Sequence, residues 1–239
     1  MNQIVAKTIV VLGASGMVGE GIASVLAAQG HHVIGVGRSL ERLGRIGEPH
    51  VASKQISILQ GDVGSDADAT GLAAEILRVL PDVIIVSING CRAVSPVFEL
   101  QARDLERTLQ ENLSAHLTAA RHLIPTLKPA GLYLGIGGGM ADLVFPKCAA
   151  VSMAQAAQRA LFNYLSKEVD ASKAHVRELL LYSMITPGSE VLAAEPRRIT
   201  AEEVGRHVAA IIERPAEFAG PILNLKSRKQ VGLPERSAA

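Results

Sequence analysis

The sequence predicts a single-domain α/β fold, a doubly wound parallel sheet of about seven strands with helices on both faces. Three observations predict it. Short apolar runs alternate with helical patterns from one end of the chain to the other. The run PDVIIVSING at 81–90 holds an unbroken Val/Ile stretch of the kind buried on both faces. No linker, repeat or low-complexity stretch divides the 239 residues, of which 48% are hydrophobic, enough for one sizeable core.

The elements follow in order. TIVVLG (8–13) is a strand and leads into a helix ending near Gln29. HHVIGVG (31–37) and QISILQGD (55–62) are the second and third strands, and ADATGLAAEILRVL is the helix after them. PDVIIVSING is the fourth strand, followed by one long helix over roughly 100–124 that stops near Pro125. GLYLGIG (131–137) is the fifth strand, and an Ala-rich helix covers roughly 149–170. HVRELLLYSM (175–184) is the sixth. Thr200 with Glu203 three residues on is a capping-box pattern that opens the last helix, and GPILNLK (220–226) is the seventh strand. Residues from about 228 to 239 read as a flexible tail.

Composition excludes several classes. A formal net charge of +1 gives no case for a nucleic-acid or membrane-surface partner, and the absence of Trp removes the usual base-stacking platforms. Cys91 and Cys148 lie far apart and match no metal-ligand spacing. The N-terminal apolar stretch is too short to span a bilayer and lacks a signal-peptide cleavage site, so a cytoplasmic protein is expected.

After the first strand comes Gly13-Ala14-Ser15-Gly16-Met17-Val18-Gly19. A dinucleotide pyrophosphate can sit on a helix N-terminus only where side chains leave the backbone exposed, and glycines at 13, 16 and 19 meet that need. An acid at the end of the second strand would hold the ribose hydroxyls of NAD. This chain has Arg38 and Ser39 there, a guanidinium and a hydroxyl suited to a 2′-phosphate, so NADP(H) is expected over NAD(H). Arg38 also reads as a solvated loop charge. Asp62 and Val63 are placed to meet the adenine, although Asp62 serves equally as a turn residue. Asn89 and Gly90 lie where backbone passes close to a cofactor.

These residues, with Asn112 in ENLSAHL and Pro187-Gly188 after the sixth strand, make the chain resemble the short-chain dehydrogenase/reductase family over nearly its whole length. The resemblance implies a Rossmann fold, a nicotinamide cofactor and a Ser, Tyr, Lys catalytic set, in which Tyr donates the proton that an alkoxide needs, Lys lowers its pKa and Ser polarises the carbonyl. Aligned on the family's pattern, those positions fall on Gly138, Val151 and Gln155. Asn112, part of the family's proton relay, remains, and Gln155 keeps the ability to hydrogen-bond the nicotinamide ribose.

Other groups could substitute. His116 lies four residues beyond Asn112 on the same helix face and reads either as a proton donor or as a buried or interface histidine. Tyr182 reads as a ligand contact or a packed core residue. Tyr133 and Tyr164 fall out of register, Lys147 and Cys148 precede the helix, Ser152 points away from the Tyr position, and Met140 offers an apolar wall. The short Ser189–Arg198 stretch leaves little room for the lid that family members often place there, so the pocket is expected to open to water. Three functions stand: an atypical NADP(H)-dependent oxidoreductase, a silent NADP(H)-binding sensor or partner-binding module, and a non-redox isomerase or cyclase. The resemblance also implies a homo-oligomer paired through the helices near 100–124 and 149–170.

Overall fold

The computed structural model describes residues 5–47, 56–90, 93–186 and 198–235. Seven strands form one parallel sheet: β1 (Thr8–Leu12), β2 (His32–Gly37), β3 (Ile56–Gln60), β4 (Val83–Val86), β5 (Gly131–Gly138), β6 (Ala174–Leu181) and, after a two-stranded sheet numbered β7 and β8 below, β9 (Ile222–Leu225). Their order across the sheet is β3-β2-β1-β4-β5-β6-β9, and every adjacent pair is parallel.

The alternation of side chains along each strand divides the core in two. Ile9 and Val11 face the layer of α1 (Met17–Ala28), α2 (Leu40–Gly47) and α7 (Ala201–Glu213). Val10 and Leu12 face the layer of α3 (Asp66–Leu77), α5 (Ala115–Leu123) and α6 (Ala149–Glu168). Both sides of the central strands are therefore apolar, which is why β4 reads as an unbroken Val/Ile run. Helices α1 and α7 cross at their glycines: a Cβ built on Gly21 would lie 2.4 Å from the Ala201 carbonyl carbon, and one on Gly205 would lie 2.6 Å from the Gly21 oxygen. The predicted capping box is present, with Thr200 Oγ1 accepting the Glu203 N–H at 3.1 Å and Glu203 accepting the Thr200 N–H at 3.0 Å.

Several sequence expectations are corrected. The long helix over 100–124 is broken: α4 (Ala102–Leu109) passes through a π turn at Gln110–Ser114 before α5 begins. Asn112 sits in that turn and donates to the Thr108 carbonyl at 2.8 Å, taking a backbone acceptor. The sixth strand ends at Leu181, and Met184–Thr186 (β7) pairs with Arg198–Thr200 (β8) in a separate two-stranded sheet. Helix α2, which the sequence reading omits, packs Leu43 and Ile46 into the core. The segment from Arg228 to Glu235, read as tail, is tied to the body. Arg228 pairs with Glu203, Gly232 N–H donates to His207 Nδ1 at 3.1 Å, and Glu235 accepts from Lys226 at 2.7 Å and Asn224 at 2.8 Å. Among the described residues, no helix is long and apolar enough to cross a membrane.

Candidate functional site

The strand order reverses between β1 and β4, and the crevice beyond their C-terminal ends is where ligands bind in open α/β sheets. Two cavities open there and share Gly16, Ser87, Ile88 and Asn89. One, of about 580 Å³, lies over β1, β2 and the end of β4; the other, of about 620 Å³, lies over β4, β5 and β6.

The glycine loop shapes the junction. Gly13 has φ +77°, and a Cβ there would lie 2.2 Å from the Ser87 carbonyl oxygen. A Cβ on Gly19 would lie 2.2 Å from the Gly13 oxygen, so Gly19 lets helix α1 start hard against the strand end. Gly16 caps α1 with extended backbone and no side-chain hydrogen bond, leaving the helix N-terminus open to a ligand. Gly13, Ser15 and Gly16 line the first cavity, and Met17 lines the second.

The first cavity collects the predicted adenosine-end residues. Arg38, Ser39, Asp62, Val63, Asn89 and Gly90 all line it. Asp62 Oδ1 accepts the N–H groups of Val63 at 2.8 Å and Gly64 at 3.2 Å, which makes it the turn residue that was one of its two readings. Arg42, which the sequence reading passed over, joins Arg38 in the lining; its backbone N–H donates to Ser39 Oγ at 3.3 Å and its guanidinium to the Ser15 carbonyl at 3.1 Å. No local pattern in LERLGR singles it out; helix α2 is what turns its guanidinium back onto the glycine loop.

The second cavity holds Asn112, Gly138, Gln155, Met140 and Tyr182. Asn112 Oδ1 accepts the Gly90 N–H at 3.0 Å, which ties the π turn to the loop after β4. Gln155 reaches back over the strand end: a Cβ on Gly138 would lie 2.4 Å from its amide nitrogen. The amide therefore fills the space that a side chain on residue 138 would take. Its Oε1 is buried and has no hydrogen-bond partner, so it is an acceptor awaiting a donor. Val151 is buried and does not line the cavity.

His116 is corrected as a catalytic candidate. It is fully buried, packs edge-on against Phe162 and lies outside both cavity linings. Burial holds its pKa down to about 4, so at neutral pH it is an uncharged core histidine within 3.3 Å of the Ile88 carbonyl. Tyr133 is likewise buried, stacked on Phe162, with its hydroxyl pKa raised by burial. Tyr164 is exposed. Lys147, Cys148 and Ser152 do not line either cavity, and Pro187 and Gly188 lie outside the described residues.

Tyr182 is a wall of the second cavity, its ring packed on the Gly139 backbone. Its hydroxyl donates to Asp142, which also pairs with Arg159. Burial and the Asp142 carboxylate push the phenol up to about 12, whereas the bonds from Tyr182 and Arg159 hold Asp142 below the usual carboxylate range. Beneath the floor lies Glu178, fully buried on β6, its Oε1 2.5 Å from where a Cβ on Gly137 would stand. Desolvation pushes its pKa up to about 8.

A doubly wound parallel sheet, a glycine turn onto an open helix and a split crevice at the strand-order reversal define a dinucleotide-binding Rossmann protein. The chain belongs to the short-chain dehydrogenase family, whose family model matches residues 7–195. It is 31% identical over 157 residues to an NADPH-dependent pterin aldehyde reductase of Arabidopsis thaliana, a match spanning 62% of this chain and 65% of that enzyme. It is 25% identical over 244 residues to a very-long-chain 3-oxoacyl-CoA reductase of Meyerozyma guilliermondii, covering 96% of this chain and 67% of the relative. Among solved structures, an alcohol dehydrogenase of Thermococcus sibiricus complexed with 5-hydroxy-NADP superposes with TM-score 0.76 at 21% identity, over 93% of this chain and 97% of that one. A Serratia marcescens short-chain dehydrogenase/reductase superposes with TM-score 0.80 at 18% identity, over 94% and 98%. These two likenesses concern the fold.

Proposed function

We propose that the chain is an NADP(H)-dependent oxidoreductase of atypical site, in which Gly138, Val151 and Gln155 stand where the family's Ser, Tyr and Lys would be. One observation carries this reading: the cavity lined by Gly13, Arg38, Ser39 and Arg42 and the cavity lined by Gly138 and Gln155 meet at one crevice. Family membership supplies the nicotinamide dinucleotide, and the two arginines with the Ser39 hydroxyl suit its 2′-phosphate form. The NADPH dependence named for the Arabidopsis relative agrees.

The residues present fit such a group. Gly13 and Gly19 leave backbone clearance where Cβ atoms would collide, and the orphaned Gln155 oxygen offers an acceptor to a ribose hydroxyl. When bound, the cofactor supplies a hydride equivalent to an electrophilic carbon. Asn112 fixes the loop after β4 through Gly90, and Gln155 would hold the ribose through its amide. Among the described residues no carboxylic acid, histidine or lysine lines the second cavity, and the Tyr182 hydroxyl already donates to Asp142, so the proton comes from water. Losing a positioned proton donor costs typically about 10²–10⁴-fold in rate. Reduction of an activated C=C bond, whose carbanion solvent can protonate, suits this site better than carbonyl reduction. The helices over 102–123 and 149–168 pair copies of the chain; Leu117, Met153 and Tyr164, exposed on α5 and α6, support that reading.

The test is a calorimetric titration with NADPH and with NADH, followed by a panel of carbonyls and enones read at the NADPH absorbance. The proposal expects NADPH binding at tens of micromolar or better and slow enone turnover. Failure of NADPH to bind would overturn it. Binding without turnover, together with carbonyl activity gained by the triple variant Gly138→Ser, Val151→Tyr, Gln155→Lys, would assign the silent-sensor reading instead. Isomerisation or cyclisation of a panel compound with no change in NADPH would assign the non-redox one.

A further inference from the structure

Charge is divided sharply between the two cavities. Arg38, Arg42, Asp62 and Glu111 line the first, whereas the described lining of the second contains no Lys, Arg, His, Asp or Glu. Two cations beside the Tyr182 wall are paired: Arg159 with Asp142, and Lys226, whose ammonium lies 5.8 Å over the Tyr182 ring, with Glu235. The polar groups that remain, Ser87, Asn112, Gln155 and Tyr182 among them, are all uncharged hydrogen-bonding groups.

The walls beyond them are apolar and adaptable. Met17, Met140 and Met184 line the cavity, three of the four methionines after Met1. Methionine's flexible thioether fits apolar surfaces of varied shape. Leu143 and Phe145 continue the wall outward and are 40% and 50% exposed, with Met184 at 67%. Val144 stands beside them at 94%. A carboxylate or phosphate brought into such a site would shed water and meet no countercharge, whereas a hydrocarbon body would cover wall that water now wets.

We propose that the second cavity takes an uncharged, predominantly apolar carbonyl compound or enone, with its oxygen on the amide and hydroxyl groups and its hydrocarbon body on Met140, Leu143, Phe145 and Met184. This deepens the oxidoreductase reading and rests on it for the carbonyl end alone; the preference for a neutral apolar body stands on the cavity itself. Substrates whose charge must enter the cavity, such as short keto acids, are excluded, and those that carry charge on a long arm are held by their apolar part only.

A matched pair tests it: 2-octanone and 7-oxooctanoate, which differ in a terminal methyl against a carboxylate. Each is titrated by calorimetry into the full chain, alone and saturated with NADP⁺, and NADPH is titrated separately. The ketone is expected to bind at least about tenfold more tightly than the keto acid in both forms. Phe145→Ser should weaken the ketone about fivefold or more and leave NADPH affinity unchanged. Met184→Arg, at an exposed position that tolerates charge, should raise affinity for the keto acid severalfold. Equal or tighter binding of the keto acid by the unaltered chain would overturn the proposal, as would no binding of either compound at millimolar concentration, or ketone binding indifferent to Phe145→Ser. If NADPH fails to bind while the ketone preference persists, the oxidoreductase reading falls and the cavity's selectivity stands.

Discussion

Glu178 places a fully buried carboxyl on β6, with the Gln158 amide beside it too weak a partner to offset its desolvation. The folded chain keeps this proton up to about pH 8, whereas the unfolded chain releases it near 4.5. Between those values the folded state binds more protons, so this residue makes stability fall as pH rises, with the loss complete above about 8. Glu178→Gln removes the ionisation and keeps the shape. Thermal unfolding at pH 8.5 should then occur at least about 3 °C higher than in the unaltered chain, the shift that about 1 kcal/mol gives a domain of this size, with a smaller difference at pH 5. At the other end of the crevice, Arg38→Ala with Arg42→Ala should weaken NADPH about tenfold or more and NADH much less, measured as the ratio of the two dissociation constants. Arg38 was legible in the sequence because it follows the second strand directly. Arg42 was not, because its value depends on helix α2 turning it back toward Ser15. His116 shows the opposite failure: its spacing from Asn112 is right, yet helix spacing does not reveal which side of the helix meets Phe162 and the core.

At the scale of elements, the crossing of α1 and α7 depends on two glycines whose role no local pattern announces. Alanine is the better helix former by about 1 kcal/mol, so a bare propensity argument makes Gly21→Ala stabilising. The Ala201 backbone stands 2.4 Å from the Cβ that would be added, and the helices would have to part. Gly21→Ala is therefore expected to destabilise by about 1–3 kcal/mol. Gly71→Ala, in α3 with nothing within 4 Å of its added Cβ, should stabilise by up to about 1 kcal/mol. Opposite signs for the two substitutions in urea unfolding would confirm close backbone packing at the crossing. The strands of the sheet and most helices could be read from apolar periodicity because each buries one continuous stripe or a whole run. The π turn at Gln110–Ser114 could not, since the apolar pattern of α4 and α5 continues across it and only the side-chain bonds of Asn112 mark the break. Strands β7 and β8 were hidden for a different reason: three residues each are too few to show alternation.

For the whole molecule, the last helix and the chain beyond it act together. His207 on α7 is held down to about 4 by burial, and its neutral ring accepts the Gly232 N–H. With His116 it binds no proton in the folded state between about 4 and 6.5, where the unfolded chain does. Their contribution to stability is complete above about 6.5 and lost as pH falls toward 4. His207→Gln should reduce that acid loss, measured as the slope of unfolding free energy against pH between 4.5 and 6.5. A polar chain end is a tail only when nothing binds it; here Glu203, His207 and Lys226 do, the first two from 25 residues away. The division of charge between the two cavities has a further consequence, which concerns the solvent. Dissolved ions weaken attraction between an arginine and a phosphate at the surface, and the screening length shortens to about 3 Å at 1 M salt. An excluded salt such as sulfate strengthens the burial of hydrocarbon. Raising sodium sulfate should therefore drive the two ligands in opposite directions, loosening the nucleotide while tightening the ketone, so that a single bottle of salt tells which end of the crevice a ligand occupies.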